Sequence, residues 1–136
     1  MASDDDAPEL HPARALETDA SDRPELARMV ETAFSHMGNS LWIEAAQVLS
    51  TASSNRPGDP SILNNLGLAL LQSALKMDSE GDPMASSQYE AAIMALRQGA
   101  KIDTQNNTLL LNLGHTLLVS GRAEKALGVI NVARSR

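Results

Sequence analysis

An Asn-Leu-Gly step occurs twice in this chain, each time inside a leucine-rich run. The two runs read LNNLGLALL at 63–71 and LLNLGHTLL at 110–118, so Asn65 and Asn112 stand 47 positions apart. Recurrence of one short pattern is typical of proteins built by stacking copies of a small structural unit. The repetition therefore constrains the fold more than any other feature of the 136 residues.

The apolar residues favour helices as the repeated elements. Hydrophobic residues make up 43% of the chain, yet aromatic residues make up only 2%. A core of Leu, Ala, Ile, Val and Met suits helix-on-helix packing, whereas strands favour β-branched and aromatic side chains. Apolar residues at 3–4 spacing and the intervening turn signals predict six helices. These cover residues 24–37, 41–52, 61–77, 84–102, 108–119 and 123–134.

The six predicted helices form three antiparallel pairs that resemble tetratricopeptide (TPR) repeats. This family repeats about every 34 residues and needs small side chains where the helices of a unit approach closely. In units of about 26–59, 60–106 and 107–136, all nine small-residue positions hold Ala or Gly: Ala33, Ala45, Ala52, Gly67, Ala92, Gly99, Gly114, Ala126 and Ala133. The resemblance implies an all-α fold, a TPR-like α-α superhelix forming a short solenoid of three antiparallel helix pairs within a domain at 23–136.

The middle unit is longer than the family repeat by 13 residues, all between its two helices. The added sequence has few loop-forming residues outside DSEGDP at 78–83. We therefore expect the insertion to lengthen both helices of the middle pair by roughly two turns instead of forming a long loop.

The resemblance also implies which residues face the concave groove of the superhelix, where TPR proteins bind their partners. These groove candidates are Phe34, Met37, Ser61, Asn64, Asn65, Leu68, Gln72, Thr108, Leu111, Asn112 and His115. An Asn amide carries both donors and an acceptor, so Asn65 and Asn112 are suited to hold a ligand's backbone. The alternative is that each bonds a neighbouring helix. As groove residues, Asn65 and Asn112 are expected to be exposed. Their replacement by alanine is therefore expected to leave the thermal stability nearly unchanged.

The groove candidates include no Lys or Arg, which disfavours the capture of a C-terminal carboxylate known in one TPR subclass. Their apolar members better suit an apolar or amphipathic segment, helical or extended. We therefore expect a protein-interaction scaffold or adaptor that binds a protein or peptide segment. Such a scaffold can also be a subunit of a larger assembly. The alternative is a chaperone for an apolar segment of a secreted or membrane client, a class that small acidic bacterial secretion chaperones with three TPR units represent.

Motifs for catalysis, metals or cofactors are missing from the sequence. His11, His36 and His115 have no partner at metal-ligand spacing, and the chain has no cysteine. The run from Asp78 departs from a calcium loop because Gly81 falls at its fourth position instead of its sixth. No phosphate-binding loop or nucleophile elbow is present. We expect no enzyme activity, no metal and no cofactor.

Charge is concentrated at the N-terminal end. Residues 1–22 hold seven acidic residues against Arg14, whereas residues 23–136 hold ten acidic and ten basic residues. We expect 1–22 to be a solvated acidic tail, although 8–17 has the composition of a short helix. A neutral body argues against nucleic acid as a partner. With neither a signal peptide nor a spanning apolar run, we expect no membrane insertion and a cytoplasmic location.

The last predicted helix has more apolar residues than one partner helix can cover. The third unit stops before its full length, so we expect no further helix to cover this face. Leu127 and Val132 are then the side chains left exposed, whereas Ile130 faces the core. A solenoid end needs a polar outer face for solubility. We therefore expect this end to contact a second copy or another subunit.

Overall fold

The computed structural model describes residues 13–135, which form six α-helices and no β-strand. The helices are α1 (Pro24–Gly38), α2 (Trp42–Asn55), α3 (Pro60–Ser79), α4 (Ala85–Ile102), α5 (Asn107–Val119) and α6 (Ala123–Arg134). The prediction of an all-α fold is confirmed, and every predicted helix boundary lies within three residues of the observed one. None of the described helices is both long enough and apolar enough to cross a membrane.

Local sequence explains where the helices begin. Pro24 and Pro60 occupy first-turn positions, where the missing backbone N–H removes no helical hydrogen bond. The Asp59 carboxylate accepts hydrogen bonds from the backbone amides of Ser61 and Ile62 and so caps α3. Asn106 caps α5 in the same way, through the amide of Leu109. The two helices that carry the Asn-Leu-Gly step therefore both have a side-chain N-cap.

Consecutive helices pack against each other along the whole described chain. The contacts are most extensive between α3 and α4 and next between α5 and α6, whereas α2 contacts α1 and α3 equally, and α3 also contacts α5 directly. Connections of three to five residues return the chain so that each helix packs on the one before it. This order brings α3 and α5, the helices with the repeated motif, side by side.

The repeated glycines lie at the closest approach within the second and third pairs. A Cβ placed on Gly67 would lie 2.5 Å from Cγ of Leu96 in α4. A Cβ placed on Gly114 would lie 2.6 Å from Cγ1 of Ile130 in α6. All nine Ala and Gly positions assigned as small are buried. The prediction that a small residue is needed is therefore confirmed at Gly67 and Gly114.

The insertion in the middle unit lies within helices, as the sequence predicts. Helix α3 has 20 residues against 13 in α5, and α4 has 18 against 12 in α6. The differences of seven and six residues together account for the 13 added residues. The connection turns at Gly81, whose φ of 72° lies in the left-handed region that favours glycine. The Tyr89 hydroxyl donates to the Asp78 carboxylate across this end at 3.0 Å.

The exposed apolar side chains of α6 are those that the sequence predicts. Leu127 is 51% exposed and Val132 is 47% exposed, whereas Ile130 is 5% exposed. Ala126 and Ala133 are buried on the same side as Ile130. Helix α6 thus packs one face on α5 and leaves an apolar pair on the other.

Candidate functional site

Three asparagines of α3 and α5 form a buried polar cluster, which we call the asparagine cluster: Asn64, Asn65 and Asn112. Asn64 and Asn65 are 0% exposed, and Asn112 is 3% exposed. Buried amides are stable only when their donors and acceptors are paired. The partners of these amides therefore indicate what the cluster does.

Two asparagines each hold the backbone of one residue in the segment that precedes α1. The Arg14 N–H donates to Asn112 Oδ1 at 3.0 Å, and Asn112 Nδ2 donates to the Arg14 carbonyl at 2.9 Å. The Leu16 N–H donates to Asn65 Oδ1 at 2.8 Å, and Asn65 Nδ2 donates to the Leu16 carbonyl at 2.8 Å. The same position of the repeated motif thus performs the same task in two consecutive units.

Asn64 joins the two asparagine–backbone pairs into one network. Its amide donates to the Arg14 carbonyl at 2.8 Å and to Asn65 Oδ1 at 3.2 Å. Its own oxygen accepts from Asn112 Nδ2 at 2.7 Å, which links α3 to α5. The structural role weighed for these asparagines, a bond to a neighbouring helix, is thus met by the bond between Asn64 and Asn112, and the backbone that they hold belongs to the same chain.

Residues 13–20, which we call the N-terminal segment, lie in extended conformation against the helices. Leu16, Thr18 and Ala20 face inward, whereas Glu17 and Asp19 are exposed. This alternation is the period-two pattern of an extended chain with one face on a protein surface. The Thr18 and Ser61 hydroxyls share a hydrogen bond of 2.7 Å.

The prediction of a solvated tail over 1–22 is wrong for residues 13–20. Leu16 packs against the hydrophobic cluster that includes Leu113, and Ala20 is buried with Leu26. The prediction that Asn65 and Asn112 are exposed is wrong for the same reason, because the segment covers them. The remainder of the predicted tail, residues 1–12, lies outside the described residues.

The other predicted groove residues differ in their environment. Ser61 contacts the segment, and Leu68 is buried at 6% exposure. Met37 packs between α1, α2 and α3 with Ala33, away from the asparagine cluster. The remaining candidates are partly buried and form no hydrogen bond with the N-terminal segment: Phe34, Gln72, Thr108, Leu111 and His115.

His115 lies one turn after Asn112 on α5 and is partly buried. Desolvation lowers the pKa of its imidazole below the usual 6.5. Its Nδ1 is buried without a hydrogen-bond partner among the described residues. Across these residues no three His, Asp or Glu side chains lie close enough together to hold a metal ion.

A second surface that the sequence interpretation missed lies on the opposite side of α3. It is an open groove between α2 and α4, with Leu63, Leu66 and Leu70 at its base. Exposed Ile43 and Met94 stand at its edges. The TPR register assigns the three leucines to internal contacts, so the sequence alone did not indicate that they would line an open groove.

Comparison with protein-family models, with curated proteins and with solved structures finds no match to this chain.

Proposed function

We propose that this chain is a TPR-like scaffold that binds an extended segment of a partner protein across α3 and α5 without catalysing a reaction. One observation carries the proposal. Asn65 and Asn112, at the same position of successive units, each bind both backbone groups of one residue, and those two residues are two positions apart. Two residues of extended chain span about 6.6 Å, a spacing that any peptide sequence can supply.

Further support for the superhelical arrangement comes from the packing. Each pair buries its Ala and Gly positions, and successive helices pack in chain order. In a TPR-like superhelix, α1, α3 and α5 are the first helices of their units and line the concave side. The asparagine cluster lies on two of these three helices.

The chemistry of the cluster favours recognition of backbone over side chains. Amide-to-backbone hydrogen bonds hold any extended peptide, so selectivity must come from the apolar and hydroxyl contacts beside them. No charged side chain of the described residues takes part in the asparagine cluster's hydrogen bonds. This favours an uncharged, extended stretch of the partner over a terminal carboxylate or a phosphorylated motif.

Two biological roles are compatible with this binding mode. An adaptor would hold one partner in a fixed complex, in which exposed Leu127 and Val132 give a further contact with another subunit or a second copy. A chaperone would hold an apolar segment of a secreted or membrane client until it is released. The adaptor is our leading proposal, because the cluster would hold its ligand at fixed positions. We propose the cytoplasm as its location.

Site-specific photo-crosslinking in the native cell tests this function. Gln72 lies two helical turns after Asn65 on the same face of α3, and Gln98 is exposed beside the groove on the opposite side. We expect a photoreactive residue at 72 to form an adduct with one protein in stoichiometric amount, and the same residue at 98 to form none. Many secreted or membrane proteins in the adduct would favour the chaperone. Equal adducts from both positions, or none from 72, would contradict the proposal.

A further inference from the structure

The surface proposed to bind a partner is already occupied by the chain's own N-terminal segment. Among residues 13–135, every hydrogen bond that the asparagine cluster makes outside itself and its own helices goes to the backbone of Arg14 or Leu16. A partner segment that uses the same amides must therefore compete with residues 13–20. The occupant also provides a template for the chemistry that the surface accepts.

The inward-facing side chains of the segment define that chemistry. Leu16 lies against the cluster formed by α4, α5 and α6, and Ala13 lies against the cluster that includes Leu71. Thr18 bonds Ser61, and Ala20 is 5% exposed and packs with Leu26 and Ile62. From residue 16 to residue 20, the template is therefore an apolar residue, any residue, a residue with a hydroxyl group, any residue and a small residue.

The direction of the segment is also fixed. Its residue 14 contacts α5, residues 16 and 18 contact α3, and Ala20 packs with Leu26 of α1. The peptide thus runs from the third helix pair to the first, opposite to the order of the units. A partner held by the same amides runs the same way.

Two sets of contacts hold the chain before α1, one on the asparagine cluster and one beside α2. Arg56 forms a salt bridge with Asp22 at 2.8 Å and donates to the Asp19 carbonyl. Arg23 donates to the Asn55 carbonyl at 2.9 Å. These contacts hold residues 19–23 on α2, whereas residues 13–18 are held by the asparagines, Ser61 and apolar contact. Displacement of residues 13–18 would break their bonds to the asparagines and to Ser61, whereas the contacts of Asp19, Asp22 and Arg23 are made elsewhere and do not depend on them.

We propose that residues 13–20 are an internal ligand that masks the binding surface. The partner is then an extended protein segment with the template's pattern, which must displace residues 13–18 to bind. This inference rests on the proposed function, because it assigns regulation to the same site. It adds that the free protein binds its partner weakly until the N-terminal segment is released.

Because the N-terminal segment is covalently tethered to the helices, its effective concentration determines how strongly it weakens partner binding. A ligand on a short linker acts at an effective concentration on the order of 1 mM. For a peptide whose Kd is about 10 µM, an internal copy of the same sequence weakens apparent binding roughly 100-fold. Release of the segment should strengthen binding by the same factor.

The test uses a fluorescent synthetic peptide with the sequence of residues 11–22 and the full-length chain. Leu16→Asp puts a charge into the apolar site of the internal segment, and Ala15→Asp puts the same charge on an exposed neighbour. By fluorescence anisotropy we expect Leu16→Asp to bind the peptide roughly 100-fold more tightly than the unsubstituted chain. We expect Ala15→Asp to bind like the unsubstituted chain, and Asn112→Leu added to Leu16→Asp to abolish binding.

A reversible lock provides the complementary measurement. The chain has no cysteine, so Thr18→Cys with Ser61→Cys introduces one defined disulfide at the position of the hydroxyl pair. The oxidised protein should not bind the peptide, and reduction should restore the binding of the unsubstituted chain. Equal binding before and after reduction would overturn the inference, as would no gain from Leu16→Asp. After either of these results, a partner adduct at position 72 would still support the proposed function. Absence of that adduct would contradict both the proposed function and the inference.

Discussion

Replacing Asn65 with alanine should destabilise the protein by detaching the N-terminal segment from α3. The Asn65 amide is fully buried and makes two hydrogen bonds of 2.8 Å with the backbone of Leu16. Each net hydrogen bond contributes about 0.5–1.5 kcal/mol, so the substitution should lower the free energy of unfolding by about 1–3 kcal/mol. Detachment of the segment limits the loss, because water can then solvate the freed backbone groups.

Urea unfolding of a double-mutant cycle isolates the segment's part in this loss. Asn65→Ala is compared in the unsubstituted chain and in Leu16→Asp, where the segment is already weakened. We expect the loss from Asn65→Ala to shrink by about 1 kcal/mol or more in the second background. Asn131→Ala, at an exposed position of α6, is the matched control and should change stability little. Equal losses from Asn65→Ala in both backgrounds would refute the reasoning, because the amide would then stabilise the helices without the segment.

Three further predictions concern the helices. Gly67→Ala places a Cβ 2.5 Å from Leu96 and should lower the free energy of unfolding by about 1–3 kcal/mol in urea; an unchanged midpoint would contradict the close approach. Burial lowers the pKa of His115, so the folded state binds a proton less readily than the unfolded chain, and stability should fall as the pH drops below about 6.5. His115→Gln should reduce that slope, and an unchanged slope would contradict this assignment. Leu127→Lys with Val132→Lys should abolish concentration-dependent association in light scattering. Burial of both side chains favours association by roughly 3–6 kcal/mol before association entropy is subtracted. A monomer at every concentration of the unsubstituted chain would rule out self-association.

The helical framework could be predicted because its determinants are local. Gly67 and Gly114 mark the close approach within the second and third pairs, and the structure leaves no room for a Cβ at either. The added residues of the middle unit carry helix-forming sequence on both sides of a Gly81 turn, so their division between α3 and α4 follows from composition and spacing. Turn residues and periodicity were sufficient for these predictions.

The occupant of the asparagine cluster could not be predicted from its own sequence. Of the four inward side chains that residues 13–20 present, Leu16 is the one large apolar residue. Their main contacts use backbone N–H and C=O groups, which every sequence supplies equally. The acidic residues around the segment instead favoured a solvated tail. The asparagines indicated that a backbone would be bound, but not that it belonged to this chain.

Amide hydrogen exchange along the N-terminal segment tests the central claim most directly. The N–H groups of Arg14 and Leu16 donate to asparagine oxygens, whereas those of Ala15 and Glu17 donate to none of the described residues. Measured by NMR on the full-length chain, exchange should therefore be slow at 14 and 16 and fast at 15 and 17. In Leu16→Asp, all four amides should exchange fast. Fast exchange at all four positions in the unsubstituted chain, or equal protection of all four, would contradict an extended segment held by Asn65 and Asn112.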